Sequence, residues 1–202
     1  MCVSVEWRII MLKDTIKSSR SYRRFYGEKK VSYEQLKELV DYARLSPSCA
    51  NRQPLKYIII CQNEMNQRVY ETLGWAGYLK DWDGPIETER PTGYIIMLRD
   101  LLINKNMTID EGIAAQSIFL GATEMNLGGC YIGSFKKDQL KEVCEISDEY
   151  DIALVIALGY PKEEVVIENV GPDGDVKYWR DKNEVHHVPK RSLDKIIIKE
   201  YL

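Results

Sequence analysis

Thr108 to Gly133 reads TIDEGIAAQSIFLGATEMNLGGCYIG, and this stretch sets the expected architecture. Thr108 and Glu111 have the spacing of a capping box, in which a hydroxyl and a carboxylate each satisfy a backbone N–H at a helix start. Asp110 and Glu111 also complement the positive end of the helix dipole. Ile113, Ala114, Ile118, Phe119, Leu120, Ala122 and Met125 follow, with almost no charge until Glu124. A helix apolar on nearly every side is buried on nearly every side. Ala114, Ala115, Ser117, Gly121 and Ala122 are small enough for another helix to come close, and a subunit interface is one expected neighbour. Gly128 and Gly129 end the helix, and Cys130-Tyr131-Ile132 reads as a short strand.

Working outward, Leu12 and Ile16 lie four apart and predict a short amphipathic helix over 11–19, before a basic turn from Arg20 to Tyr26. A second helix is expected from Val31, with a Ser32–Gln35 capping box and Leu36, Leu39, Val40 and Ala43 on one face. It must stop before Pro47, because the residue ahead of proline avoids helical angles. Tyr57–Cys61 and Tyr94–Leu98 read as buried strands, with a helix over 64–73 between them. Residues 74–93 fit no period and carry Trp75, Tyr78 and Trp82; so long an aromatic loop is more often functional than idle. Ser134 is expected to cap a helix bearing Leu140, Val143 and Cys144. Ile152–Leu158 reads as a central strand and 171–184 as surface loop. Interleaved strands and helices imply an α/β or α+β class, layered around one sheet.

The chain has 202 residues, enough for one domain and one core. That domain is expected over 11–202, with residues 1–10 an extension ahead of a start at Met11. Apolar residues at 45% and charged residues at 29% exclude a disordered or collagen-like chain. The longest apolar run, Ile152–Leu158, is far short of the ~20 residues of a membrane helix, so no membrane partner is expected. A net charge of −3 offers no general field for nucleic acid. Five cysteines without a C-x-x-C suit a reducing compartment, and a cytoplasmic location is expected.

P-loop, dinucleotide-fingerprint, nucleophile-elbow and zincin motifs are all absent from the sequence. His186 and His187 are adjacent, so on a strand they face opposite ways; a shared metal is not expected, and both read as surface residues. Cationic groups remain. Arg20, Arg23 and Arg24 flank Ser21, and Lys190 and Arg191 follow far along the chain. Arginine forks suit phosphate, with Ser21 adding a hydroxyl donor. Ser46-Pro47-Ser48-Cys49-Ala50-Asn51-Arg52-Gln53-Pro54 is a turn rich in amides and hydroxyls, suited either to a planar heteroaromatic or to capping itself.

Four motifs in order resemble the FMN-dependent nitroreductase superfamily. Ser19-Arg20-Ser21-Tyr22-Arg23-Arg24-Phe25 looks like its Arg-Arg-Ser-x-Arg-x-Phe, and 46–54 like its Ala-Pro-Ser-x-x-Asn-x-Gln-Pro. Asp110 to Gly133 looks like its central helix and glycine-rich strand. Leu158-Gly159-Tyr160-Pro161 with Val188-Pro189-Lys190-Arg191-Ser192-Leu193 looks like its C-terminal part. The resemblance implies an α+β fold: an α/β/α sandwich whose central sheet is mixed but mainly antiparallel, in an intertwined homodimer with FMN at the subunit interface. It implies that Arg20, Ser21 and Arg23 hold the phosphate and the pyrimidine edge, and that Pro47, Ser48 and Asn51 reach the flavin from the second subunit. Tyr131, Ile132 and Gly133 would border the isoalloxazine, and Lys190 and Arg191 would bind phosphate. Ser19 departs from the family's arginine, which leaves Arg20 or Arg24 to substitute.

The chemistry so implied is hydride transfer from NADH or NADPH through FMN to a small electron-poor acceptor, nitroaromatic or quinone, by a ping-pong sequence. The cofactor carries the reaction, so no catalytic side chain and no metal is assigned. Cys49 and Cys130 read as small buried packing residues. Other readings stay open: reduction of an enone or halogenated ring, a non-catalytic FMN-binding protein for storage or sensing, or a scaffold with a vestigial site.

Overall fold

The computed structural model describes residues 12–202, so the expected extension over 1–10 lies outside the described residues. In chain order the elements are α1 (Leu12–Ser18), α2 (Tyr33–Leu45), β1 (Leu55–Ile60), α3 (Asn63–Tyr70), β2 (Gly93–Asp100), α4 (Asp110–Glu124) and β3 (Gly128–Ile132). There follow α5 (Lys137–Val143), β4 (Tyr150–Gly159), β5 (Val165–Asn169), β6 (Trp179–Arg180), β7 (His186–Lys190) and α6 (Leu193–Ile196).

Four strands make the central sheet in the order β1-β2-β4-β3, and every pairing among the four is antiparallel. A parallel bridge from Ser21 to Gly129 at the β3 edge makes the sheet mixed but mainly antiparallel, as expected. A parallel strand pair, β5 with β7, lies in a second sheet of order β5-β7-β6. Burial along β2 is unbroken from Gly93 to Arg99, as for a central strand covered on both faces. Its side chains alternate between two cores. Ile95 and Met97 join Leu36 and Leu39 of α2 and Ile118 and Phe119 of α4. Tyr94, Ile96 and Leu98 join Val69 of α3 and Leu140 of α5. Period-two alternation in the sheet thus divides the apolar residues into two helix-covered faces, giving an α/β/α sandwich. Each fully buried Ile or Leu stabilises it by about 1.5–3 kcal/mol.

The local reasons are as expected for α2. Ser32 Oγ accepts from Gln35 N at 3.1 Å while Gln35 Oε1 accepts from Ser32 N at 2.9 Å. The box on α4 is partly rewired: Glu111 Oε2 accepts from Thr108 N at 3.0 Å, but Thr108 Oγ1 takes Asp110 N instead, at 3.1 Å. Ser134 does not cap α5. Its backbone oxygen accepts from Gly74 N at 2.7 Å, and Phe135 bridges Leu73, so the chain is held extended until Lys136.

The small residues of α4 answer to its own chain. Ala115 is only 3% exposed in the single chain, so its size is accounted for by packing within that chain. At Gly121 an added Cβ would lie 2.3 Å from the Tyr42 ring of α2. Gly121→Ala is expected to cost about 1–3 kcal/mol through overpacking. Gly112, where an added Cβ meets nothing within 4 Å, supplies the control. Gly112→Ala should raise stability by about 0.5–1 kcal/mol. Denaturant melts that ranked the two variants the other way would refute the packing account. Among the described residues no helix is long and apolar enough to cross a membrane.

Candidate functional site

After α1 the chain runs extended along the edge strand β3: Ser21 bridges Gly129, and Tyr22 N donates to Gly129 O at 2.8 Å. Phe25, fully buried, pins the end of this run beside Pro161. The pinning fixes which side chains face inward. Arg20, Ser21 and Arg23 line a cavity of about 310 Å³ with Gln116, Tyr131 and Lys190. Lys190 sits at the end of β7, so the second sheet is what brings it to residues 170 positions earlier. Arg191, the next residue, is exposed and does not join the lining.

Three cations thus share one cavity, and its lining contains no carboxylate. Among the described residues, Arg20, Arg23 and Lys190 make no ion pair, whereas Arg24, Arg99 and Arg180 all do. Arg20 Nη2 donates to Ile16 O at 2.8 Å, and its Nε is buried without a partner. Arg24 does not substitute for the arginine missing at Ser19. It turns the other way, donating to both Glu89 oxygens at 2.5 and 2.9 Å and to Glu184 at 2.8 Å.

Arg23 is buried and held by parts of the chain that sequence motifs do not mark. Its backbone N–H donates to Glu163, whose other oxygen accepts from Arg180 at 3.1 Å. Its guanidinium lies 4.6 Å over the Tyr178 ring, and Nη1 is 3.1 Å from His186 Nε2. His186 is therefore an interior residue, at 1% exposure, and not a surface one. Burial, and then the positive Arg23 and Arg180, press its pKa down to about 4. The neutral ring accepts from Arg23 at Nε2, which places its proton on Nδ1. His187 faces away as expected, stacked 4.0 Å from Trp179 with Nδ1 3.0 Å from Glu168. Burial also pushes the Glu163 carboxyl up, more than its cationic neighbours pull it down.

A second cavity, of about 250 Å³, shares Arg23, Tyr131 and Tyr178 with the first. Ile132 and Gly133 line it, and so do Trp75 to Gly77 of the aromatic loop. Tyr78 packs tilted against Tyr178, ring centroids 4.9 Å apart, and Arg180 lies 4.7 Å over Trp82. All three aromatics of the loop therefore abut the site or its supports. Cys130 also lines this cavity, and burial raises its pKa, as for a packing thiol; Cys49, by contrast, is exposed and not a buried packing residue.

Residues 47–51 lie apart from both cavities. Pro47 and Ser48 line a separate hollow of about 240 Å³ beside Asp110, and Asn51 is exposed. Asp110 shapes this loop: Ser48 Oγ donates to Oδ2 at 2.6 Å and Cys49 N donates to Oδ1 at 2.9 Å. Ser48 Oγ in turn accepts from Gln53 N at 2.9 Å. Ala50, Asn51 and Gln53 all have positive φ, near 51–53°. Such strain in non-glycine residues persists only where the surroundings fix it.

Glu163, Tyr178 and His186, and Asp110 as the anchor of the loop at 48–49, are supporting residues to which the motif reading gave no such role. Only Asp110 had a sequence cue, its place at the start of α4.

Comparison with known proteins gives the fold a family. The model of the Nitroreductase family matches residues 16–77 and 94–160. An oxygen-insensitive NADPH nitroreductase of Helicobacter acinonychis is 26% identical over 202 residues, covering 83% of this chain and 95% of that protein. A nitroreductase family protein of Clostridium difficile 630 superposes with a TM-score of 0.66 at 19% identity, covering 96% of this chain and 100% of the other. An FMN-dependent nitroreductase of Clostridium difficile R20291 gives a TM-score of 0.59 at 23% identity, covering 74% and 87%. With the family model covering more than half of its length and the same sandwich recurring in these structures, the chain belongs to the Nitroreductase family.

Proposed function

We propose that this protein is an FMN-dependent NAD(P)H oxidoreductase that passes electrons to a small electron-poor acceptor, a nitroaromatic or a quinone, by a ping-pong sequence. The observation that supports it most is the cavity in which Arg20, Arg23 and Lys190 converge without a carboxylate. A dianionic phosphate answers that imbalance, and the orphaned Nε of Arg20 has a donor to give it. The donor set therefore fits FMN, with Arg20 and Lys190 on phosphate. Arg23, held by Glu163 and Tyr178, would face the pyrimidine edge. A cation there lowers the cost of negative charge arriving at that edge. The bound flavin would supply the hydride and electron transfer itself.

Tyr131 to Gly133 would border the ring system. The loop over 47–51, largely exposed and lining neither cavity around Arg23 of its own chain, suits contact with the flavin of a second protomer in a homodimer. Trp75 and Tyr178 give an aromatic wall for a planar acceptor.

The test is the visible spectrum of the purified protein before and after anaerobic NADH or NADPH. A yellow protein that bleaches supports the reading. Colourless protein even after FMN addition would leave a vestigial scaffold, and flavin that does not bleach would leave storage or sensing. Arg20→Ala and Lys190→Ala should each weaken FMN binding by about 1.5–3 kcal/mol, the worth of a charge-assisted bond. Arg191→Ala should change it less, because that side chain is exposed. An FMN dissociation constant unchanged in both Arg20→Ala and Lys190→Ala would refute the phosphate assignment.

A further inference from the structure

A cavity of about 300 Å³ lies between α3, the turn at Gly27–Lys30 and the segment leading into β2, and it shares no residue with the two cavities around Arg23. Three of the residues that line it, Asn66, Arg90 and Tyr94, each carry a buried polar atom with no partner among the described residues. Asn66 Nδ2 donates to Thr92 O at 2.9 Å, which fixes the amide and leaves Oδ1 as an acceptor without a donor. Tyr94 is fully buried, yet its hydroxyl makes no hydrogen bond. Arg90 is held rigidly: Nη1 donates to Gln67 Oε1 at 2.5 Å and the guanidinium lies 4.0 Å over the Tyr70 ring. Its Nε is unused, and neither Arg90 nor Lys30 makes an ion pair among the described residues.

A buried group left without its bond is costly, and such groups number only a few per hundred residues. Three of them around one cavity point to a missing occupant. The donors, Arg90, Lys30 and the Tyr94 hydroxyl, call for an anion, and Asn66 Oδ1 calls for an N–H or O–H. Glu87, the one carboxylate in the lining, leaves a net positive charge.

We infer that this cavity is a second ligand site, sharing no lining residue with the flavin site, for a small carboxylate that also carries a hydroxyl or amino donor. The carboxylate lies against Arg90 and Tyr94, and the donor lies against Asn66. The inference is independent of the flavin reading.

The experiment titrates the purified protein, with its flavin if it carries one, with L-malate, L-glutamate and acetate. Calorimetry and tryptophan fluorescence are the readouts; Trp75, 5.7 Å from the Tyr70 ring, is the local reporter. One of the two donor-bearing acids should bind at least tenfold more tightly than acetate. Arg90→Gln should weaken that binding at least tenfold, and Tyr94→Phe, which removes only the hydroxyl, at least threefold. Neither change should alter the visible spectrum. Glu87→Gln separates the two ligand types, weakening an amino acid and sparing a hydroxy acid. Failure of both acids to bind would mean a solvent-filled cleft and would overturn the site. Binding indifferent to Arg90→Gln and Tyr94→Phe would overturn it equally.

Discussion

Glu163→Ala should lower the folding free energy by about 3–5 kcal/mol, the usual result of removing one partner from a buried ion pair. Glu163 has a fully buried side chain that ties the backbone N–H of Arg23 to the guanidinium of Arg180. Without it, Arg180 keeps only Glu184, at 3.7 Å, as a counter-charge. The Arg23 backbone would lose its anchor to the second sheet. Glu163→Gln should cost less than Glu163→Ala, because the amide oxygen still accepts one of the two hydrogen bonds, although its NH2 then faces the other donor. Burial already favours the uncharged carboxyl there. Urea unfolding monitored by circular dichroism separates the cases. A loss below about 1 kcal/mol for Glu163→Ala would show that the second sheet is not held to the Arg23 segment by this carboxylate.

The second large effect is on acid stability. Hydrogen bonds from Arg24, aided by Lys162, hold the buried Glu89 carboxyl at a pKa of about 2, against an ordinary 4.5. The unfolded chain therefore takes up this proton as pH falls through 4.5, while the folded chain resists until about 2. Stability on the order of 2–3 kcal/mol is present above that window and lost across it. His186 acts in the same direction in a higher window, from 6.5 down to about 4, because the fold opposes its charging. Glu163 acts in the opposite direction, since its raised pKa makes the folded state the readier to bind a proton. Glu89→Gln removes only the first contribution. The variant should be less stable at pH 7 and should lose less than the parent between pH 5 and pH 3. Parallel losses in the two proteins over that range would exclude Glu89 as the acid-sensitive group.

Both predictions concern residues that no motif marks, and the reason is general. Glu163 and Glu164 are adjacent and identical, so nothing local says which is buried. Likewise His186 and His187 must diverge on a strand, but the sequence does not say which enters the core. That was decided by Arg23 and Tyr178 on one side and by Trp179 and Glu168 on the other. Arg23 and Arg24 were equally available to the cavity. Glu89, 65 residues on, claims Arg24, and Glu163, 140 residues on, anchors Arg23. Lys190 converges with Arg20 and Arg23 as the paired cationic clusters suggested, while Arg191 stays outside.

What the chain determined by itself is what depends on neighbours within a few positions. The capping box at Ser32, the stop before Pro47, the apolar runs of β2 and β4 and the order of four motifs were all legible from local chemistry. The small residues of α4 were legible as a tight contact, though not as a contact with Tyr42 of its own chain. Tertiary structure alone decided which side of each extended segment faces inward, that the order of the central strands is β1-β2-β4-β3, and which cations keep a counter-ion. Side-chain alternation in a strand fixes that neighbours part company but not the direction each takes. That direction is set by whichever distant charge or apolar surface the fold brings alongside, a long-range choice that local spacing does not encode.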